Sequence, residues 1–370
     1  MAEKIRVLLC SVSLEQKGGV TNYVKLILDN YPRDKYEIQH FVQGCNSKVI
    51  NVFYPLILVI QLLKFKETLK KFNPDIIHIN PSLDWVAMIR DAILVRYAKK
   101  KGFSVVFSLG GWKHYISKHF SKKNLFSKFF YNMFIMPDRI FVLAKSFKDD
   151  LIALGIDPKK IIRTTMMVES EKYKPTSKTY DSPYTLLFCS RIEKLKGIYQ
   201  LLDAFEIIVR KYPDTKLVYV GKGSELQNLI KKIHQRKLDG SVTCVGFKSG
   251  VEKINYYHHA DMLILPSFTE GFPNVFCEAM AAGLPFIGTH VGGLMDVFED
   301  RMQGLVITSI PPIPEEISEK IFELMENKKL LTQISQNNLR EGKDKYDVKI
   351  VIAALDAIYQ QMYTSKGIEE

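Results

Sequence analysis

The sequence predicts an α/β protein built from two doubly wound, Rossmann-like domains. Short apolar runs alternate with helical patterns over almost the whole chain, as in βαβ units and parallel sheets. A polar stretch without periodicity divides those runs into two series. The 370 residues are enough for two separate cores, since a domain takes roughly 100 to 200 residues. With 46% hydrophobic and 25% charged residues, the composition excludes disordered, collagenous and coiled-coil classes.

In chain order, the first series of buried strands is IRVLLCS (5–11), EIQHFV (37–42), IIHIN (76–80), SVVFSL (104–109) and RIFVLA (139–144). A helix is expected from near Thr21, just after Gly18 and Gly19. Residues 169–184, ESEKYKPTSKTYDSPY, are rich in Lys, Ser, Thr and Pro and read as an interdomain linker after a first domain of residues 1–168. A second domain, 185–345, holds TLLFCS (185–190), KLVYVG (216–221), VTCVGF (242–247), MLILPS (262–267), PFIGT (285–289) and GLVIT (304–308). Residues 315–363 are helical in pattern. Ligands are expected at the carboxyl ends of the strands and in a cleft between the two halves.

The net charge of +12 favours anionic partners. It is unevenly placed: residues 1–165 hold 27 basic and 13 acidic residues (+14), and residues 166–370 hold 25 and 27 (−2). Between Ala92 and Pro137 there is no acidic residue, while Arg96, Lys99, Lys100, Lys101, Lys113, Lys118, Lys122, Lys123 and Lys128 fall there. From Lys113 to Phe134 the lysines interleave with Tyr115, Phe120, Phe126, Phe129, Phe130, Tyr131 and Phe134. That pattern suits a segment lying on anionic lipid, and it equally suits an amphipathic helix with its aromatics in the core. Nucleic acid is not expected as a partner, because no recognised binding module accompanies the charge.

The longest apolar stretch, Val52 to Leu63, has twelve residues and contains Pro55 and Gln61, short of the roughly 20 that a spanning helix needs. The start MAEKIRVLLCS lacks the layout of a signal peptide. Cys10, Cys45, Cys189, Cys244 and Cys277 are odd in number and contain no CxxC pair, so they read as buried free thiols of a reducing compartment. The expected location is cytoplasmic, peripheral at the inner face of the cell membrane.

Three places carry candidate chemistry. In KGGV, Gly18 and Gly19 either let backbone approach a ligand or serve a tight strand-to-helix turn. In SRIEKLKG (190–197), Arg191 and Lys196 stand between a strand's carboxyl end and a helix whose Ile198, Leu201, Leu202, Phe205, Ile208 and Val209 face a core. Two cations and free helix N–H groups there suit a diphosphate, while Glu193 and Lys194 read as solvated loop charges. In FTEGFPNVFCEAMAAG (268–283), Glu270 and Glu278 are separated by seven residues, with Pro273 opening a helix that Gly283 closes. Carboxylates accept from vicinal hydroxyls, so one can hold a ribose and the other a sugar. The alternative is a helix-capping Glu270 and a surface Glu278, weakened by the apolar company of Val275, Phe276, Cys277 and Met280. GKGSEL (221–226) has Leu226 where a dinucleotide fingerprint needs its third glycine. His258 and His259 lack a third ligand at metal spacing and read as surface residues, so no metal site is expected.

GGV near the start, SRIEKLKG and PSFTEGFPNVFCEAMAAGLPFIGTHVGG together resemble the family-four, group 1 retaining glycosyltransferases of the GT-B fold. The resemblance runs along the whole chain and is most specific from Ser190 to Gly304. It implies two Rossmann-like domains facing a central cleft, with the helix at 346–370 returning to the first. It also implies a nucleoside-diphosphate sugar as donor, no cofactor or metal, and a glycan or lipid-linked acceptor in polysaccharide, lipopolysaccharide or glycolipid synthesis. By that resemblance Arg191 and Lys196 neutralise the donor diphosphate, Glu278 meets the nucleotide ribose, and Glu270 with the backbone of Gly271, Phe272, Pro273 and Asn274 meets the donor sugar. Gly18 and Gly19 lie beside the diphosphate, and Gly246, Phe247 and Lys248 lie near the base. Two positions depart from the pattern: Gly110 stands where many relatives carry a His, the nearest here being His114, and Asp296 replaces a frequent Glu. Alternative functions are a nucleotide-sugar epimerase of similar fold and a non-catalytic nucleotide-sugar-binding partner.

Overall fold

The computed structural model describes residues 3–16, 18–44, 54–82, 85–111, 131, 133–175, 180 and 183–366. Two compact units divide the chain: Met1–Met166 with Lys349–Glu370, and Met167–Val348.

In the first unit, strands β1 (Ile5–Ser11), β2 (Tyr36–Val42), β3 (Ile76–Ile79), β4 (Ser104–Leu109), β5 (Arg139–Val142) and β6 (Ile161–Arg163) form one sheet. Its order is β2-β1-β3-β4-β5-β6, with every pairing parallel. Helices α1 (Gly19–Asn30), α2 (Tyr54–Phe72), α3 (Trp85–Lys100) and α4 (Lys145–Ala153) connect them. All four residues of β3 are buried, as expected of a strand covered on both faces, whereas edge strand β2 exposes alternate residues. The sixth strand was not expected: its two isoleucines are too short a run to register as a period. Of the basic-aromatic segment, residues 112–130 and 132 lie outside the described residues, His114 among them. Phe134 corrects the lipid-facing expectation at its own position, being fully buried with its ring 6.0 Å from that of Phe107.

The second unit has strands β7 (Thr185–Cys189), β8 (Lys216–Val220), β9 (Val242–Gly246), β10 (Met262–Leu265), β11 (Phe286–Thr289) and β12 (Gly304–Ile307). Their order is β12-β11-β10-β7-β8-β9, again parallel throughout. Helices are α5 (Ser170–Tyr173), α6 (Ile198–Lys211), α7 (Leu226–Gln235), α8 (Gly250–His259), α9 (Asn274–Ala282), α10 (Pro314–Glu326) and α11 (Lys328–Asp344). On α6, Ile198, Leu201, Leu202, Phe205 and Ile208 are buried as the periodicity requires, with Ala204 rather than Val209 completing the face. Each large apolar side chain there stabilises the unit by about 1.5–3 kcal/mol. Strand order reverses between β7 and β10, a topological switch point that opens a crevice at the carboxyl ends.

The described residues between 169 and 184 belong to this unit rather than forming a free tether. Ser170 donates from both N–H and hydroxyl to Asp347, Tyr180 donates to the Gly283 carbonyl at 3.0 Å, and Tyr184 to that of Met325 at 3.0 Å. Lysines and prolines gave the segment a linker's composition, but its tyrosines anchor it.

The last helix, α12 (Val348–Lys366), lies almost wholly within the first unit, where Val351, Ile352, Leu355, Tyr359 and Met362 are buried. Asp356 accepts from Tyr36 at 2.6 Å, and the Tyr359 hydroxyl bonds Nδ1 of the buried His78. The Nε2 atom of His78 meets the Ser108 hydroxyl at 2.6 Å. Burial pushes the imidazole down to about 3.

Candidate functional site

Both candidate loops of the second unit lie where its strand order reverses. The loop after β7 carries Arg191 and Lys196, and the loop after β10 carries Glu270 and leads into α9. Their joining is steric as well as electrostatic. Gly197, at φ +70°, turns the first loop into α6, and a Cβ there would stand 1.9 Å from the Pro266 carbonyl oxygen. Only glycine combines that left-handed backbone with so close an approach.

Lys196 and Glu270, assigned separately to diphosphate and sugar, are brought together as one ion pair. Lys196 Nζ donates to Glu270 Oε1 at 2.6 Å, with the two side chains 10% and 7% exposed. The Ser267 hydroxyl donates to the same oxygen at 2.7 Å. Glu270 Oε2 has no hydrogen-bond partner among the described residues. It is therefore available to accept from a hydroxyl group. Lys196 spends one donor on Glu270, and an ammonium carries three.

Arg191 differs from Lys196 in being an exposed guanidinium, 68% accessible, paired to Glu193 at 2.8 Å. An exposed pair of this kind is worth about 0–1 kcal/mol, so an arriving phosphate can redirect Arg191 at little cost. Glu193 is therefore not merely a solvated charge, and Lys194 approaches Glu225 at 3.8 Å.

Glu278 lies on α9, which Pro273 precedes and Gly283 closes in the left-handed conformation. The surface alternative is overturned, because Glu278 is 5% exposed. Its Oε1 accepts from Lys253 at 2.6 Å and its Oε2 from the Tyr257 hydroxyl at 2.5 Å. Burial opposes the Lys253 charge, but Glu278 outweighs burial and the ammonium is held above its ordinary range. Burial first, then neighbouring anionic groups including Glu278, push the Tyr257 phenol well up. Sequence reasoning missed Lys253, Tyr257 and Ser267. The legible signal was the i, i+4 spacing of Lys253 and Tyr257, which puts both on one side of α8.

The glycines of GKG pack against the Arg191 loop, where a Cβ on Gly221 would stand 1.8 Å from the Ser190 carbonyl oxygen and one on Gly223 2.2 Å from that of Ile192; Ile192 N–H also donates to the Lys222 carbonyl at 3.0 Å. Gly246 ends β9 and accepts from Gly221 N–H at 2.9 Å. Phe247 is 39% exposed with Lys222 Nζ 5.8 Å from its ring centre, and Lys248 reaches Glu252 at 3.6 Å. Phe272 is buried, its ring 6.3 Å from that of Phe276, so only its backbone is placed to meet a ligand. Gly271 and Asn274 are partly exposed. His258 donates to the Tyr173 carbonyl at 3.0 Å while His259 is exposed, and no metal-binding group of three ligands occurs among the described residues.

In the first unit, Gly18 precedes α1 with extended backbone, φ 176°, and a Cβ there would meet nothing within 4 Å. A tight turn therefore does not require that glycine. Gly19 is the first residue of α1, which starts two residues before the expected Thr21. Gly110 follows β4 and is exposed. Among the thiols, Cys10, Cys189 and Cys277 are buried, whereas Cys244 is only half-buried.

Residues 169–341 match the family model described as glycosyl transferases group 1. Over that stretch the chain is similar to the group 1 glycosyltransferases. It is 29% identical over 189 residues to the capsular polysaccharide biosynthesis glycosyltransferase CapM of Staphylococcus aureus, covering 51% of this chain and 48% of that one. The chain thus spans about half the length of the curated relatives it matches in this way. With the alpha-monoglucosyldiacylglycerol synthase of Acholeplasma laidlawii it shares 24% identity over 303 residues, 76% of this chain and 74% of that one. The crystal structure of Anabaena Alr3699/HepE in complex with UDP and glucose superposes with a TM-score of 0.72 at 18% identity, over 96% of this chain and 99% of that one. That likeness is one of fold, and the fold of this chain is GT-B.

Proposed function

We propose that the chain is a retaining glycosyltransferase that moves a hexose or related sugar from a nucleoside diphosphate to a glycan or lipid-linked acceptor. The observation that carries this reading is the cluster at the switch point of the second sheet. There an exposed Arg191, a buried Lys196–Glu270 pair and the start of α9 converge on the carboxyl ends of β7 and β10. The reaction breaks the bond from the sugar's anomeric carbon to the diphosphate oxygen, so negative charge develops on the leaving group. Arg191 and the two remaining Lys196 donors stabilise that charge without a divalent cation. Glu270 Oε2 accepts a donor-sugar hydroxyl and orients the ring. The acceptor hydroxyl attacks from the face the nucleotide leaves and passes its proton to the departing phosphate, which retains the anomeric configuration.

Names of relatives support the acceptor classes: one acts in capsular polysaccharide biosynthesis and another is a diacylglycerol glycoside synthase. Contact with an anionic membrane is supported by α2, where Leu56, Val59, Ile60 and Leu63 form an exposed apolar stripe at helical spacing. Lys64, Lys66, Lys70 and Lys71 follow it on the same helix. No helix among the described residues is long and apolar enough to cross a membrane.

The test begins with thermal-shift screening against UDP-, GDP- and ADP-sugars, followed by transfer assays with the stabilising donor in the presence of EDTA. Replacement of Arg191, Lys196 or Glu270 by Ala should lower transfer by at least about a hundredfold. Turnover within a fewfold of wild type in all three would remove these residues from the site. Conversion of the donor without acceptor would instead favour the epimerase.

A further inference from the structure

We propose that Lys253 and Tyr257 are positioning residues that hold Glu278 in one ionised orientation for the ribose of a nucleoside diphosphate; this rests on the donor-site reading above. Glu278 is 5% exposed, and each of its oxygens already accepts one hydrogen bond, from Lys253 Nζ at 2.6 Å and from the Tyr257 hydroxyl at 2.5 Å. The Tyr173 hydroxyl of α5 also hydrogen-bonds this carboxylate, and a carboxylate offers about four acceptor positions. The acceptor position left on a carboxylate held in this way suits one ribose hydroxyl.

Without a counter-charge a carboxyl group buried this deeply takes up a proton and becomes a mixed donor and acceptor. The other titratable groups around it cannot supply that charge. Tyr173 of α5 lies edge-on to Tyr257, ring centres 5.4 Å apart, and burial holds its phenol far above neutrality. Cys189, at the end of β7, is pushed up to about 11 by burial, and burial likewise raises the adjoining Cys277. Lys253 therefore keeps the carboxylate ionised, and Tyr257 fixes its second oxygen. Net stability is not an adequate explanation of the pair, because desolvating two charges roughly cancels their attraction. Its distinctive effect is to decide where the remaining acceptor position points.

Calorimetric titration of the full chain compares UDP, GDP and ADP with their 2′-deoxy counterparts, in wild type and in Lys253→Met, Lys253→Arg, Tyr257→Phe and Glu278→Gln. Wild type should prefer the ribonucleotide by about tenfold or more, the range for a hydrogen bond to a charged group. Lys253→Met should lose most of that preference while 2′-deoxynucleotide affinity stays within about threefold, and Lys253→Arg should restore it. The preference is measured across a pH series in wild type and in every variant. If Glu278→Gln abolishes the preference while Lys253→Met and Tyr257→Phe retain it at every pH, the positioning role is wrong and the donor site stands. If Glu278→Gln leaves the preference intact, or no nucleotide binds wild type, the donor-site reading itself falls. Should Lys253→Met fail to fold, judged by thermal unfolding, Tyr257→Phe provides the same comparison with the charge pair intact.

Discussion

Lys196 and Arg191 occupy one short loop and are opposite in environment. That difference separates stability from chemistry. The Glu270→Gln change leaves Lys196 buried without its counter-charge, and breaking one side of a buried pair costs about 3 kcal/mol or more. Chemical denaturation should register that loss, and the double change Lys196→Met with Glu270→Leu should recover most of it. Arg191→Ala removes an exposed side chain with a weak partner, so its stability should stay within about 0.5 kcal/mol of wild type. Its transfer rate should nevertheless collapse. A variant that is destabilised but fully active would invert the assignment.

Loops after the strands act as units because their backbones touch. Gly292 of the HVGG segment has φ +58°, and a Cβ there would lie 2.0 Å from the Glu270 carbonyl oxygen. Gly293 N–H donates to the Gly271 carbonyl at 2.6 Å. The loop after β11 is thus a support for the Glu270 loop. Gly292→Ala should cost more than the left-handed penalty of about 1–2 kcal/mol, because the collision is with backbone. Its melting temperature should fall together with donor affinity. Gly18→Ala is the contrasting change: extended backbone in open space predicts an unaltered melting temperature, so any loss of turnover reports on the ligand.

Across the whole molecule the first unit is closed by the last helix. Deleting residues 349–370 removes the buried Leu355, Tyr359 and Met362 and uncovers Tyr31 and Tyr36. Hydrogen exchange should then rise across β1, β2 and α1 while the second unit keeps its protection. The same contact sets an acid limit. His78 is held to about 3 in the folded state against 6.5 when unfolded, so below 6.5 the unfolded chain binds the extra proton. Its contribution to stability is complete above 6.5 and is lost progressively as pH falls toward 3. His78→Asn should flatten that part of the stability–pH curve, read by urea unfolding at successive pH values.

By itself the sequence determined the two series of strands, because buried parallel strands are continuous apolar runs whose pattern is local. It also determined the roles open to Arg191, Lys196, Glu270 and Glu278, since strand-end loops with cations, glycines and spaced carboxylates limit the chemistry they can do. Strand β6 and the docking of residues 169–184 were not legible, because three residues make no period and scattered tyrosines resemble a polar tether. Only the tertiary structure decided which charge meets which. Lys196 finds Glu270 from 74 residues away and Lys253 finds Glu278 from 25, through strand order and close glycine contacts that leave no trace in local sequence. Pairing depends on distance and desolvation in three dimensions, so the residues that hold the site in place became visible only once the sheet was assembled.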